Sequence, residues 1–324
     1  MELTMAGALN AALRDSMRED DTVVVYGEDV GRLGGVFRIT DGLQAEMGPD
    51  RCFDTPVAES GIAGTAIGMA LYGLRPVVEM QFDGFSYPAL NQVISHVAKY
   101  RNRTRGRVGL PMVIRIPYGG GIGAVEHHSE SPEAYYSHTA GLTVVSPGTP
   151  ADAYALLRAS IAFDDPVIFL EPKRRYWLKE DLDLPVTAPP IGEAVVRRTG
   201  TTATLIAYGP MVTTAIEAAT RAADESAWDL EVVDVRTLSP VDMDTLVASA
   251  TKTGRALVVH EAARFVGYGA EIAAELSERA FGYLAAPVLR VTGFDVPYPS
   301  AKIERHFLPD ADRILDAVAR LLEY

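Results

Sequence analysis

Within Asp54-Thr55-Pro56-Val57-Ala58-Glu59-Ser60-Gly61 one glutamate, Glu59, follows a proline-stiffened turn. It opens an apolar helix that continues Ile62-Ala63-Gly64-Thr65-Ala66-Ile67-Gly68-Met69-Ala70. A carboxylate held among Val57, Ala58, Ile62 and Ala63 is poorly hydrated, and desolvation raises a carboxyl pKa. Such a group suits proton exchange with a weakly basic ring nitrogen. It would serve equally as an acid placed at the positive end of a helix dipole. The local sequence leaves both readings open. Gly64 and Gly68, four apart, share a face; glycine costs a helix about 1 kcal/mol against alanine, so the pair implies close backbone packing.

A second group of reactive side chains is Glu126-His127-His128-Ser129, just after Gly119-Gly120-Gly121-Ile122-Gly123. A histidine beyond such a loop, expected here to be flexible, suits a general acid or a phosphate contact, or a structural hydrogen bond. Adjacent histidines serve one metal only with strain, and His260-Glu261-Ala262-Ala263-Arg264 lacks the second histidine of a zinc helix. The glycine run fits neither a Walker loop nor a dinucleotide fingerprint, and Gly-x-Ser-x-Gly is missing. Phe85 and Tyr87 suit stacking on a flat ring, or ordinary core packing.

These residues sit between alternating elements. Thr4 caps a helix striped by Leu9, Leu13 and Met17, and Thr22 to Tyr26 is a buried strand leading to the acids of Gly27-Glu28-Asp29-Val30. A short helix begins at Asp41 and stops at Gly48-Pro49. The strand Pro76 to Met80 precedes one longer helix through Val93, Val97 and Tyr100, which ends in the basic run Lys99, Arg101, Arg103, Arg105 and Arg107. That run reads as favourable charge at a helix C-terminus on a solvated face. Strands at Met112 to Ile116, Thr143 to Val145 and Val167 to Leu170, with a helix from Pro150 to Ala162, complete an α/β pattern. It implies a mainly parallel sheet covered on both faces.

Between Lys179 and Pro190 the pattern breaks into acids and prolines, which divides the chain into residues 1–185 and 186–324. Alternation restarts with strands at Ala203 to Tyr208, Leu230 to Val235, Ala256 to His260 and Pro287 to Val291. Helices span Met211 to Ser226 and Gly269 to Phe281, and a terminal helix is striped by Ile314, Val318, Leu321 and Leu322. No repeat relates the halves.

Composition narrows the partners. A net charge of -13 argues against nucleic acid, which needs clustered Lys and Arg. The lone cysteine, Cys52, fits a reducing compartment. Met1-Glu2-Leu3-Thr4 shows no secretory pattern, and no apolar run nears the roughly 20 residues that span a bilayer. A soluble cytoplasmic protein is expected.

Taken together, Asp54 to Ile62, Glu79-Met80-Gln81-Phe82-Asp83-Gly84-Phe85 and His127-His128-Ser129-Glu130-Ser131-Pro132-Glu133 resemble the β subunit of thiamine diphosphate-dependent 2-oxoacid dehydrogenases. Gly27-Glu28-Asp29-Val30, Asp234-Val235-Arg236-Thr237-Leu238 and Ala286-Pro287-Val288-Leu289-Arg290-Val291 extend the resemblance in family order over essentially the whole chain.

The resemblance implies two transketolase-like domains, the first holding the cofactor's aminopyrimidine and the second serving assembly. Glu59 matches the glutamate that hydrogen-bonds a pyrimidine nitrogen, favouring the imino tautomer that deprotonates the thiazolium. Val57 and Gln81 match pyrimidine-site positions, and Phe85 matches the ring that stacks on the pyrimidine. His128 matches the histidine credited with guiding reductive acylation of the lipoyl group. Some relatives carry potassium beside an aspartate; here Phe163 stands in its place, which counts against that ion.

In this cofactor class a Gly-Asp-Gly segment holds the diphosphate through magnesium, and no Gly-Asp-Gly occurs here. The resemblance therefore implies half a site, completed with its Mg2+ by an α subunit in an α2β2 heterotetramer, with a lipoyl-bearing acyltransferase as the further partner. Ser131-Pro132-Glu133-Ala134 and His260-Glu261-Ala262 look more like branched-chain members, with pyruvate as the alternative substrate. A sugar-phosphate ketol-transferase half would want basic phosphate-binding loops, whereas Ser129 to Glu133 is acidic. A non-catalytic assembly or electron-transfer subunit would leave Glu59, Phe85 and His128 without a task.

Overall fold

The computed structural model describes residues 1–324 as two α/β halves around two sheets. Helix starts follow their caps. Thr4 accepts the Gly7 amide at 3.0 Å and Thr149 accepts that of Asp152 at 3.1 Å, each worth about 1 kcal/mol. The first helix, Met5–Glu19, buries Leu9, Leu13 and Met17 as its spacing predicts.

The larger sheet has seven strands in the order Thr237–Ser239, Thr143–Val145, Val167–Pro172, Val113–Tyr118, Arg75–Glu79, Val23–Gly27 and Cys52–Asp54. All its pairings are parallel except that of Thr237–Ser239, which lies antiparallel to Thr143–Val145. The central strands are buried on both faces and mainly apolar, as a sheet covered by helices on each side requires, with Glu79, Arg115 and Glu171 as buried exceptions. The smaller sheet runs Leu289–Gly293, Ala256–Ala263, Ala203–Ala207, Leu230–Asp234 and Val195–Arg198, with only the last antiparallel. The strands Glu2–Thr4 and Lys179–Asp181 form a separate antiparallel pair. No helix is long and apolar enough to cross a membrane.

The halves are joined through a shared core. Ile114, Ile116 and Tyr118 of the large sheet pack in one cluster with Ile206, Tyr208 and Val233 of the small one. The strand Thr237–Ser239 lies late in sequence yet edges the large sheet.

One expectation needs correction, and one helix lies outside the expected pattern. The single helix foreseen through Tyr100 is broken into Leu90–Ser95, a 3-10 turn at Val97–Lys99 and Tyr100–Arg103. His96 leaves helical geometry (φ -122°, ψ -62°), and the break lets Val97 and Ala98 both bury while the Ala98 carbonyl meets Gly141. The basic run itself lies on the surface. The helix Met243–Thr253, capped by Asp242, was not foreseen.

Candidate active site at the carboxyl edge of the large sheet

Four neighbouring strands deliver the candidate residues to one edge. Val23–Gly27 leads into Glu28 and Asp29, Cys52–Asp54 into the turn before Glu59, Arg75–Glu79 into Gln81 to Phe85, and Val113–Tyr118 into the glycine run before His128. In open parallel sheets this is where ligands bind. The first two strands are locked in register: Thr55 N–H donates to the Gly27 carbonyl at 2.9 Å, and Asp54 accepts the Gly31 amide at 2.7 Å. Tyr26 stacks on Phe53 at 4.9 Å and donates its hydroxyl to the Ile62 carbonyl at 3.1 Å, which fixes the start of the Glu59 helix.

Glu59 is the first residue of that helix, Glu59–Tyr72, and is buried although Val57, Ala58 and Ser60 around it are exposed. Ala58 in the cap position has no side-chain acceptor, so the positive helix end is left for carboxylates. Glu28 is buried near it, and its Oε1 has no hydrogen-bond partner. Burial, then the charges of Glu59 and Asp29, push the Glu28 carboxyl up to about 7. Burial together with neighbouring negative charge makes ionisation of Glu28 costly, so Glu28 holds its proton near neutrality. The corner thus holds a carboxyl of elevated pKa, at Glu28, an acid the sequence placed in a loop without giving it a role. Gln81 donates through Nε2 to Asp29 Oδ2 at 3.0 Å, tying the third strand's loop to the first. Val57 is 78% exposed, an apolar side chain with no cover from this chain.

Beside the acids stands an aromatic wall. His128 lies flat on Phe82, centroids 4.0 Å apart, and meets Phe85 edge-on at 5.0 Å. Burial among these rings lowers the His128 pKa and favours the neutral imidazole. Its Nδ1 lies 3.0 Å from the His127 carbonyl; assigned from that contact, Nδ1 carries the proton and Nε2 is left as acceptor. His127 is exposed.

Buried ion pairs hold this wall, and the sequence did not reveal them. The Lys173 ammonium pairs with Asp83 and donates to the His128 carbonyl at 2.6 Å, while Asp83 also accepts the Glu130 amide at 2.8 Å. Burial pushes the Asp83 carboxyl up to about 6, with Lys173 pulling against it. One layer deeper, Arg115 donates to Glu79 at 2.8 Å and to Glu171 at 2.6 and 3.0 Å. Ionisable residues such as Glu171 and Lys173 at the end of an otherwise apolar strand were the available signal.

The glycine run differs from the flexible loop expected. Gly119 and Gly120 are buried, and a Cβ at Gly120 would overlap the Tyr298 hydroxyl. Close packing accounts for Gly120, and positive φ for Gly119, Gly121 and Gly123. No three His, Cys, Asp or Glu side chains stand together as a metal set.

Comparison with known proteins agrees with this architecture. Residues 1–177 match the transketolase pyrimidine-binding domain and residues 192–314 the transketolase C-terminal domain. The chain is 57% identical over 99% of its length to the 3-methyl-2-oxobutanoate dehydrogenase subunit beta of Mycobacterium tuberculosis, covering 92% of that protein. It is 54% identical over 99% of its length to the pyruvate dehydrogenase E1 component subunit beta of Leifsonia xyli, covering 95% of it. A solved split-gene transketolase, described as an inactive beta4 tetramer, superposes with a TM-score of 0.81 at 24% identity, covering 99% of this chain and 98% of that one, and so shares the fold. The chain therefore belongs to the transketolase-like β subunits of the 2-oxoacid dehydrogenases.

Proposed function

We propose that this chain forms the aminopyrimidine half of a thiamine diphosphate site in an α2β2 2-oxoacid dehydrogenase of the cytoplasm. There it takes part in oxidative decarboxylation of a branched-chain 2-oxoacid and acyl transfer to the lipoyl-lysine of an acyltransferase. The observation that carries the reading is the buried Glu59–Glu28 pair beside the uncovered Val57 and the half-buried Phe85. A nitrogen heterocycle needs one proton-exchanging carboxyl and apolar surface for its faces, and this corner offers both. Glu28 Oε1, buried without a partner, has capacity for one more hydrogen bond.

In this reading Glu59 holds and exchanges a proton with a ring nitrogen, Val57 and Phe85 flank the ring, and Gln81 orients the loop beside it. His128, neutral and with Nε2 free, accepts or returns a proton at the acyl-transfer step, while Phe82 and Phe85 keep water from it. When bound, thiamine diphosphate supplies the carbon nucleophile for the 2-oxo carbonyl. Magnesium and the diphosphate contacts belong to the α subunit. The face of the Glu59 helix supports a partner there: Gly61, Thr65, Gly68, Leu71 and Tyr72 are exposed on a helix apolar nearly all round. The division at residues 185 and 186 assigns the pyrimidine half to the first part and assembly to the second. Pyruvate is the second reading, favoured by the 54% identity to a pyruvate dehydrogenase subunit.

Reconstitution with an α subunit carrying Gly-Asp-Gly, thiamine diphosphate and magnesium tests this. We expect kcat/KM for 3-methyl-2-oxobutanoate to exceed that for pyruvate by roughly tenfold or more, the scale of hydrophobic discrimination; the reverse order would overturn the substrate assignment. Tight calorimetric binding of the cofactor to the chain alone would overturn the shared site.

A further inference from the structure

The loop that carries His128 is anchored from the other half of the molecule. Its neck is closed by the Gly119 amide donating to the Glu130 carbonyl at 2.8 Å. Lys173 holds the His128 carbonyl, as described. At the far end, the Gly120 amide donates to Glu261 Oε1, from the C-terminal sheet. Glu261 is 2% exposed, and Arg174, next to Lys173 in the chain, lies 3.3 Å from its Oε2. Two consecutive cations leaving one strand thus secure both ends of the segment, one directly and one through Glu261. A second carboxylate from the same half, Glu304, accepts the Gly123 amide at 3.3 Å and the Tyr298 hydroxyl at 2.9 Å, while the Tyr298 ring presses on Gly120.

We propose that Glu261 is a positioning residue for His128, fixing the glycine run so that the imidazole meets the incoming lipoyl group. The proposal rests on the role assigned to His128 above. A buried carboxylate without this task would be a poor structural choice, since its desolvation is offset only by partners placed with good geometry. Here the hydrogen-bond partner is the loop amide. An arginine from the opposite half supplies the counter-charge at 3.3 Å, while Glu261 Oε2 makes no hydrogen bond. The C-terminal half is thereby part of the active-site framework as well as a surface for assembly. A shift of about 1 Å at a reacting group is enough to cost up to roughly a hundredfold in rate.

The test uses the assembled α2β2 enzyme and two variants, E261A and E261Q. Hydrogen exchange of the amides from Gly119 to Gly123 is followed by mass spectrometry. Acyl transfer to a lipoyl domain and decarboxylation with an artificial oxidant are measured in parallel. E261A is expected to speed loop exchange and slow acyl transfer, each by roughly tenfold, with oxidant-coupled decarboxylation within about twofold of wild type. E261Q, which keeps a neutral acceptor, is expected to recover part of both losses. Wild-type protection of the loop in E261A would overturn the anchor. Faster exchange with both reactions reduced equally would support the anchor and overturn the role given to His128. If E261A does not assemble, E261Q alone decides: raised exchange supports the proposal and wild-type exchange overturns it.

Discussion

The acid corner and the histidine corner share one sheet edge but are finished to different degrees. Directly around His128 the chain supplies its own partners: Lys173, Asp83 and the Glu130 amide answer one another, and Phe82 and Phe85 supply the apolar walls. Around Glu59 it does not. Glu28 Oε1 and Thr55 Oγ1 are buried without partners, and Val57 stands in solvent. Buried polar atoms without partners are rare in finished structures, because each costs about 1–3 kcal/mol. The histidine corner has gaps of its own, at Glu133 Oε2, Arg174 Nε and Glu261 Oε2. Its imidazole, however, is walled by side chains of this chain, whereas the apolar surface at Val57 is left uncovered, as the proposed shared site requires.

The sharpest way to break that contrast is at Glu59. An amide cannot take up or release the proton, so Glu59→Gln should lower 2-oxoacid decarboxylation by the assembled enzyme by roughly 10³-fold. Its melting temperature should stay level or rise, since like-charge repulsion with Glu28 is relieved. A modest rate loss with a large drop in melting temperature would make Glu59 a structural cap. The histidine corner should answer in the opposite sense. Lys173→Met strips the donor from the His128 carbonyl and the counter-charge from Asp83. We expect a destabilisation of about 3 kcal/mol in denaturant unfolding, at the lower end for a broken buried pair because Asp83 can then take up a proton. Unchanged stability would mean the wall stands without its ion pair.

The two corners also differed in how much the sequence disclosed. Glu59, Val57, Gln81 and Phe85 lie in short contiguous segments, which is where the family resemblance could single them out, while alternation predicted only the mainly parallel sheet beneath them. Lys173 and Asp83 meet only because the chain brings two strand exits together, and Arg115 reaches Glu79 and Glu171 because its strand lies between theirs. Nothing in the spacing of residues 79, 83, 115, 171 and 173 encodes that order. The glycine run misled for a related reason. Glycine permits mobility and close approach alike, and only the positions of Tyr298 and Glu261 show which applies. The helix break at His96 was hidden because Val93, Val97 and Tyr100 keep helical spacing across it.

The smallest expected effect lies at Glu28 and tests whether the acid corner holds a proton. Its carboxyl is raised in the folded chain from an ordinary 4.5 to about 7. The folded state therefore binds this proton more tightly than the unfolded state does. The sign follows: the contribution is fully present below about 4.5 and is lost progressively as pH rises through 7. For the chain without its partner, stability should fall across that window by on the order of 2 kcal/mol from this group, allowing for solvent near the open edge. Glu28→Gln should flatten that stretch of the curve of melting temperature against pH while leaving the acid limb below it unchanged. A variant that keeps the wild-type slope would place the titrating group elsewhere, and the two carboxyls would then have to be read as separately solvated, as in any corner this chain completes alone.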